Sequence, residues 1–156
     1  MSEKNYDADS GNTLELVIFR VGKVVCALES IGVQEIIKEP RITPVYNSPA
    51  YVKGVINLRG RIVTIIDMRS KFGLKSSEAD NRRIVIVSTG DEAIGLLVDS
   101  IDDILKADTN FIEPAPANLN GLDGDFFIGI FKMEKGLVAI INLETVLMVT
   151  EFNGTF

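Results

Sequence analysis

Short apolar runs separated by glycine, aspartate, asparagine or proline recur along the chain from about residue 13 onward. Runs of this length, bounded by turn-forming residues, are typical of β-strands. Leu14–Val21 and Val24–Leu28 flank Gly22-Lys23, which predicts a hairpin with a two-residue turn. Ile84–Ser88 and Ala93–Val98 predict a second hairpin in the same way. The pattern therefore predicts a mostly β protein made of many short strands.

Helices are predicted in three places, and each is short. Ser48-Pro49-Ala50-Tyr51 places an N-cap residue before a proline, which fits a single helical turn. Met68–Phe72 and Asn142–Val149 each follow an apolar, strand-like run. Asp67 stands where the first of these two helices begins, so we expect its carboxylate to cap that helix.

An internal repeat is the most informative feature of the pattern. Gly54–Phe72 reads GVINLRGRIVTIIDMRSKF and Gly129–Leu147 reads GIFKMEKGLVAIINLETVL, and their apolar positions coincide nearly throughout. Upstream, LESIGVQEIIK at Leu28–Lys38 resembles VDSIDDILK at Val98–Lys106, which is two residues shorter. Each half of the chain therefore runs hairpin, short acidic segment, second hairpin and short helix.

The repeat predicts one domain over residues 13–152, preceded by a disordered tail of residues 1–12. Its two similar subdomains span about residues 13–80 and 81–152. Halves of about 70 residues bury too little apolar surface to be stable alone, so we expect them to pack against each other. Whether they exchange strands is left open by the sequence. Closure into small barrels would hide the edges of the sheets.

Composition narrows the classes of partner. The net charge of −6, from 16 Lys and Arg against 22 Asp and Glu, disfavours nucleic acid, because phosphates reward clustered basic side chains. The single cysteine, Cys26, excludes an intrachain disulfide, and its apolar setting predicts burial. The polar N-terminus and the lack of an apolar run of about 18 residues predict a cytoplasmic protein without direct membrane insertion.

Residues that carry catalytic chemistry are scarce. The chain has no histidine, which excludes Ser-His-Asp triads and histidine-based zinc sites. No G-x-x-x-x-G-K-[ST] phosphate loop occurs. The stretch NLNGLDGD at Asn118–Asp125 superficially resembles a calcium loop, but leucine and aspartate stand where oxygen ligands and glycine are required. We therefore expect no enzymatic activity, no cofactor and no metal.

The hairpin sequence GVINLRGRIVTIIDMR at Gly54–Arg69 resembles the signature of the CheW family of bacterial chemotaxis coupling proteins. Four further segments resemble that family in the same order: IGVQEII (Ile31–Ile37), ITPV (Ile42–Val45), PAYVKG (Pro49–Gly54) and IGLLVDSI (Ile94–Ile101). The resemblance covers nearly the whole chain, from about Leu14 to Leu147. Several motifs with matching order and spacing make it specific.

The resemblance implies a fold and a function. The fold is two five-stranded SH3-like β-barrels around a shared hydrophobic core, with a few short helices. The function is that of a non-enzymatic adaptor, a scaffold that couples the histidine kinase CheA, through its regulatory domain, to the cytoplasmic tips of methyl-accepting chemoreceptors. The implied location is cytoplasmic, with recruitment to membrane-associated receptor arrays.

The resemblance also implies two binding surfaces. The receptor-binding residues carried over to this sequence are Val33, Glu35, Asn57, Leu58, Arg59 and Gly60. The kinase-binding residues are Ile94, Gly95 and Ile104. We expect Glu35 and Arg59 to form an ion pair that orients the arginine, because a guanidinium fork suits recognition of a carboxylate or carbonyl. Val33 and Leu58 would supply the apolar part of the receptor groove.

Two other functions fit the same sequence. A barrel protein could bind a small ligand, or act on one, in the groove between its subdomains. A related coupling module could also serve a CheA-like kinase in a sensory pathway outside motility. A polar pocket with converging carboxylates would favour the first, and the identity of partners in the native cell would decide the second.

Overall fold

The computed structural model describes residues 12–75, 80–134 and 136–147. Residues 1–11 of the predicted tail and residues 148–149 of the predicted last helix lie outside these ranges. The strands are β1 (Thr13–Val21), β2 (Val24–Glu29), β3 (Val33–Lys38), β4 (Val52–Leu58), β5 (Arg61–Asp67), β6 (Arg83–Thr89), β7 (Glu92–Val98), β8 (Ser100–Asp108), β9 (Asn118–Leu119), β10 (Leu122–Asp123), β11 (Phe127–Met133) and β12 (Gly136–Ile141). Helix α1 spans Met68–Lys71, and residues 143–147 form helix α2. The segment around Ser48 forms a turn rather than a helix, and the Val52 N–H donates a hydrogen bond to the carbonyl of Pro49.

The strands form two five-stranded sheets and one small hairpin. Sheet 1 has the strand order β11-β12-β2-β1-β8, and sheet 2 has the order β3-β6-β7-β5-β4, while β9 pairs with β10. Both predicted hairpins are present, as β1–β2 and β6–β7. The prediction of a mostly β fold with two five-stranded units is confirmed. Each sheet stays open between its edge strands, where one isolated bridge joins Thr43 to Val55 and another joins Glu113 to Ile130.

The two sheets exchange hairpins between the repeats. Hairpin β1–β2 comes from the first repeat, but it pairs with β8 and β12 from the second. Hairpin β6–β7 comes from the second repeat and pairs with β3 and β5 from the first. Both sheets therefore take strands from either side of residue 80. In each sheet, the exchanged hairpin makes one antiparallel and one parallel strand pairing. The antiparallel pairings are β1 with β8 and β3 with β6, and the parallel pairings are β2 with β12 and β5 with β7.

Three apolar clusters fill the part of the fold that the structure describes. The largest takes side chains from both sheets and includes Phe19, Leu28, Ile66, Leu96 and Phe127. A second lies within sheet 1 around Phe131, and a third lies within sheet 2 around Ile65. The shared core implied by the family resemblance is thus the largest apolar cluster among the described residues. It is also where Cys26 lies, and burial raises the pKa of that thiol.

A carboxylate marks the point where the chain crosses from sheet 2 to sheet 1. Asp99 accepts hydrogen bonds from the backbone N–H of Gly22 at 2.8 Å and from the Arg69 guanidinium at 2.7 Å. Burial alone would raise the pKa of Asp99, but the hydrogen bonds from Arg69 and Gly22 hold it below its usual range. Arg69 lies in α1, whose predicted cap is confirmed because Asp67 accepts from the Arg69 N–H at 3.0 Å. The first turn of sheet 1 is thereby attached to sheet 2.

A glycine allows two backbone segments of sheet 2 to touch. Gly54 has a φ of +149°, and a β-carbon there would lie 2.1 Å from the carbonyl oxygen of Thr43. The neighbouring Val55 exchanges both backbone hydrogen bonds with Thr43, at 2.8 and 2.9 Å. The loop that follows β3 is therefore held against β4 only because position 54 lacks a side chain.

Replacing this glycine should destabilise the fold. We expect Gly54→Ala to lower the free energy of unfolding by about 2 kcal/mol or more, since the backbone must leave an unfavourable conformation and break the Thr43–Val55 contact. Gly32→Ala is the matched control, because no atom lies within 4 Å of a β-carbon at that position. Urea unfolding of both variants measures the difference. Equal midpoints for the two variants would contradict the assigned role.

A lysine is buried beneath the same loop. Lys71 in α1 lies with its Nζ 3.8 Å from the centroid of the Tyr51 ring. Within the described residues, that Nζ has no hydrogen-bonding partner. Loss of hydration disfavours the ammonium form, and burial lowers the pKa of Lys71 to about 8. Contact with the face of the ring favours the cation and offsets only part of this cost.

This lysine predicts a rise in stability at alkaline pH. Between pH 8 and about 10 the unfolded chain keeps the Lys71 proton while the folded chain has released it, so raising the pH favours folding. Relative to Lys71→Met, the wild-type free energy of unfolding should increase across this range by on the order of 1–3 kcal/mol. Denaturant unfolding at a series of pH values measures it, with the exposed Lys106→Met as control. Parallel pH profiles for wild type and Lys71→Met would refute the prediction.

Candidate functional site

The turn between β4 and β5 presents an arginine in an unusual backbone conformation. Leu58 pairs with Arg61, which leaves Arg59 and Gly60 as a two-residue turn. Their φ angles are +52° and +88°, the pattern of a type I′ turn. The side-chain oxygen of Asn57 accepts a hydrogen bond from the Gly60 N–H at 2.9 Å and so fixes the turn. The structure thus brings these four predicted site residues together at the tip of one hairpin.

The predicted ion pair is present at this tip. The Arg59 guanidinium donates to the carboxylate of Glu35, which lies 24 residues earlier in the chain. Glu35 belongs to β3 and Arg59 follows β4, and these are the two edge strands of sheet 2. The ion pair therefore spans the open seam of that sheet. The Arg59 side chain remains 70% exposed and that of Glu35 30%, so the pair stabilises the fold little and serves to hold the arginine in place.

A second turn in the same chain has nearly the same structure without an arginine. The sequence NLNG at residues 118–121 places Asn120 and Gly121 between β9 and β10, with φ angles of +52° and +91°. The side-chain oxygen of Asn118 accepts from the Gly121 N–H at 2.9 Å, as Asn57 does from Gly60. Asparagine tolerates positive φ far better than arginine does. The turn geometry alone therefore gives no reason for an arginine at position 59.

The apolar residues of the predicted receptor surface are less open than expected. Val33 is half-buried and packs against the shared core, while Leu58 packs against the cluster inside sheet 2. The most exposed apolar side chain beside the tip is Ile62, at 67% exposure, whose strand partner is Asn57. The exposure of Ile62 could not be predicted from the sequence, because apolar residues line both faces of β5. The shared core covers the outer face at Ile66 but does not extend to residue 62.

The predicted kinase-binding residues lie apart. Ile94 and Gly95 are in β7 of sheet 2, whereas Ile104 is in β8 of sheet 1. Gly95 is buried, and a β-carbon there would lie 2.6 Å from the Ile65 side chain and 2.7 Å from that of Ile84. Gly95 is therefore a packing residue in this structure, with no surface to offer a partner. Ile104 is 54% exposed and does lie on the surface.

Two further ion pairs join parts of the fold, Arg69 with Asp99 and Arg82 with Glu39. Arg82 is buried and forms a bidentate pair with Glu39, with two contacts of 2.8 Å, so the Arg82-Arg83 dipeptide forms no basic patch. Among the described residues, no group of three or more side chains of the types that bind metals comes together. No helix in the described part of the chain is long and apolar enough to cross a membrane. These features leave the β4–β5 tip as the leading candidate site.

Comparisons with known proteins agree on one family. The CheW-like domain family matches residues 15–151. A probable chemotaxis protein CheW of Rhizobium etli is 36% identical over 138 residues, which cover 88% of this chain and 89% of that protein. A chemotaxis protein CheW of Rhizobium meliloti is 35% identical over 133 residues, covering 85% and 86% of the two chains.

A solved structure gives the same result at the level of the fold. The crystal structure of the scaffolding protein TtCheW from Thermoanaerobacter tengcongensis superposes with a TM-score of 0.79. The two proteins are 31% identical, and the match covers 85% of this chain and 86% of that one. Since family, sequence and fold coincide over nearly the whole length, the chain belongs to the CheW-like domain family.

Proposed function

We propose that this protein is a non-enzymatic adaptor of the cytoplasm that couples a CheA-type histidine kinase to the tips of chemoreceptors in membrane-associated arrays. Membership of the CheW-like family supports the proposal, as do relatives named for chemotaxis and a structural relative described as a scaffolding protein. The observation that carries it is the Arg59 turn: an exposed arginine that donates to Glu35, in a turn that Asn57 fixes through the Gly60 N–H, and in a backbone conformation that asparagine would adopt more easily.

The energetics of the turn argue for recognition at Arg59. A non-glycine residue in the left-handed region costs about 1–2 kcal/mol, and an exposed ion pair returns about 0–1 kcal/mol. The arginine is therefore neutral or unfavourable for folding. A side chain kept at such a position, with its planar donor fork exposed, is well placed to bind a carboxylate or the carbonyls at a helix end. The chemoreceptors that CheW-family proteins bind have helical hairpins at their tips. A receptor helix would therefore bind in a groove beside the β4–β5 tip.

An adaptor of this kind works without chemistry of its own. Binding a receptor at the β4–β5 tip and a kinase at a separate surface raises the effective concentration of each partner for the other. Ile104, exposed on the edge strand β8 of the other sheet, is the best placed of the proposed kinase contacts. The packed core between the sheets would keep the two surfaces at a fixed distance and orientation.

Arg59→Asn is the most informative test. It reproduces the turn of Asn120, so the free energy of unfolding should stay within about 1 kcal/mol of wild type. Affinity for a purified receptor cytoplasmic fragment should fall at least tenfold, because the guanidinium is lost, while affinity for the kinase regulatory domain should not change. Calorimetry or surface plasmon resonance with each partner measures both affinities.

Arg61→Asn is the matched control, since Arg61 is an exposed arginine two residues away on the same hairpin. It should leave receptor affinity within about twofold of wild type. Equal receptor affinity for wild type and Arg59→Asn would refute the role assigned to Arg59. Failure of the wild-type protein to bind either the receptor fragment or the kinase domain would refute the proposed function itself.

A further inference from the structure

An asparagine followed by a glycine lies exposed in the turn between β9 and β10. Asn120 and Gly121 are both exposed, and their φ angles are +52° and +91°. Within the described residues, the side chain of Asn120 makes no hydrogen bond. The second Asn-Gly pair of the sequence, Asn153-Gly154, lies outside the described ranges. The Asn120 carboxamide is therefore open to water, and the residue that follows it has no side chain to shield it.

This pair of residues allows an intramolecular reaction. The backbone nitrogen of Gly121 can attack Cγ of Asn120, and glycine favours the attack because its backbone reaches conformations that other residues rarely adopt. A succinimide ring forms as the Cγ–Nδ2 bond breaks. The proton lost by the Gly121 nitrogen passes through water to the leaving group, which departs as ammonia. Water then opens the ring, at Cγ to give aspartate or at the backbone carbonyl to give isoaspartate.

A side chain of the same hairpin restrains the attacking nitrogen. The Gly121 N–H donates to the side-chain oxygen of Asn118 at 2.9 Å. Water must remove the proton from this N–H before the nitrogen can attack, so the hydrogen bond to Asn118 has to break first. Because Asn118 is itself exposed, a brief local opening of the turn is enough to break it. The folded chain therefore slows the reaction without abolishing it.

We propose that Asn120-Gly121 is a site of spontaneous deamidation and that Asn118 restrains the rate of the reaction. The site needs no partner protein, and it is independent of the receptor and kinase contacts proposed above. The turn of nearly the same structure between β4 and β5 carries Arg59 in place of the asparagine, and a guanidinium cannot form the ring. Of these two turns, only the one between β9 and β10 is reactive.

Two other positions each lack one of the conditions that this site meets. Asn47 is exposed and has a φ of +57°, but Ser48 follows it instead of a glycine. Asp123-Gly124 could form the same ring by losing water, but Gly124 is buried and its N–H donates to the carbonyl of Ala117 at 2.9 Å. Both positions should stay largely unconverted in the folded chain and serve as internal controls.

The product would weaken the packing around the turn. Deamidation adds a negative charge, and isoaspartate also inserts a methylene group into the backbone between residues 120 and 121. Leu119 and Leu122, which flank the turn, pair with each other and are buried in the shared core. Chain that contains isoaspartate, separated by anion exchange, should therefore unfold at a lower urea concentration than fresh chain. An unchanged midpoint would contradict this consequence.

Incubation of the purified full chain at neutral pH tests the site. Tryptic peptide 107–132 contains Asn120, and tandem mass spectrometry locates the gain of one mass unit that deamidation causes. Conversion should be at least tenfold faster at Asn120 than at Asn47. The product should include isoaspartate, which a protein-isoaspartate methyltransferase detects by methylating the isolated peptide. Equal rates at the two asparagines, or aspartate without isoaspartate, would overturn the proposal.

Variants of Asn118 test the restraint. Asn118→Ala removes the acceptor and should accelerate conversion at Asn120 at least fivefold under native conditions, while the two chains should convert at equal rates when unfolded in urea. Asn118→Asp keeps an acceptor oxygen and should convert no faster than wild type. A urea midpoint close to that of wild type excludes global unfolding as the cause of the acceleration. Equal native rates for wild type and Asn118→Ala would refute the role of Asn118.

Arg59→Asn transfers the reactive pair to the turn between β4 and β5. The variant places an asparagine before Gly60, whose N–H donates to Asn57 at 2.9 Å as that of Gly121 does to Asn118. Conversion at residue 59 should match that at Asn120 within about fivefold, and adding Asn57→Ala should accelerate it at least fivefold. This test does not depend on the folding of any Asn118 variant. No conversion at residue 59 while Asn120 converts would overturn the dependence on this turn.

Discussion

The packing of the two sheets against one shared core is the constraint on which the rest of this structure depends. Neither sheet covers its own outer face, so Phe19 of sheet 1 and Leu96 of sheet 2 are buried only because the sheets meet. The exchange of hairpins reinforces the constraint, since each sheet is incomplete without strands from the other repeat. The relative positions of the two hairpin tips follow from this packing. A binding surface on one sheet is thereby fixed in relation to a surface on the other.

The repeats have kept their cores alike and changed their tips. Strand pairings, register shifts and the close approach at Gly54 all have counterparts in sheet 1, where Gly129 lies against the backbone of Glu113. The two cores differ by small substitutions at corresponding positions. Ala27, which pairs with β12 in sheet 1, corresponds to Gly95, which pairs with β5 in sheet 2. The tips carry no such requirement, so their charges are free to differ. This division explains how one fold, duplicated within a chain, can offer two unlike surfaces.

Much of the fold could be predicted because it depends on local signals. The two hairpins, the cap at Asp67 and the internal repeat all follow from residues near one another in sequence. The exchange of hairpins could not be predicted, because alternation of apolar residues fixes which face of a strand is buried but not which strand lies beside it. Burial of Gly95 was missed for a related reason: a glycine in a strand gives no sign of which side chains approach it. The Glu35–Arg59 pair joins distant strands and was expected only through the family resemblance.

The hairpin exchange also sets the order in which the chain can fold while it is being made. The five strands of sheet 2 are consecutive, from Val33 to Val98, and can assemble as soon as they leave the ribosome. Hairpin β1–β2 is synthesised first but must wait for β8, about 70 residues later, or roughly 4–14 s at typical rates of synthesis. During that interval its apolar faces and unpaired edges are exposed, which is the condition that invites aggregation or chaperone binding. The hairpin that is synthesised before the other described strands is thus among the last to be enclosed.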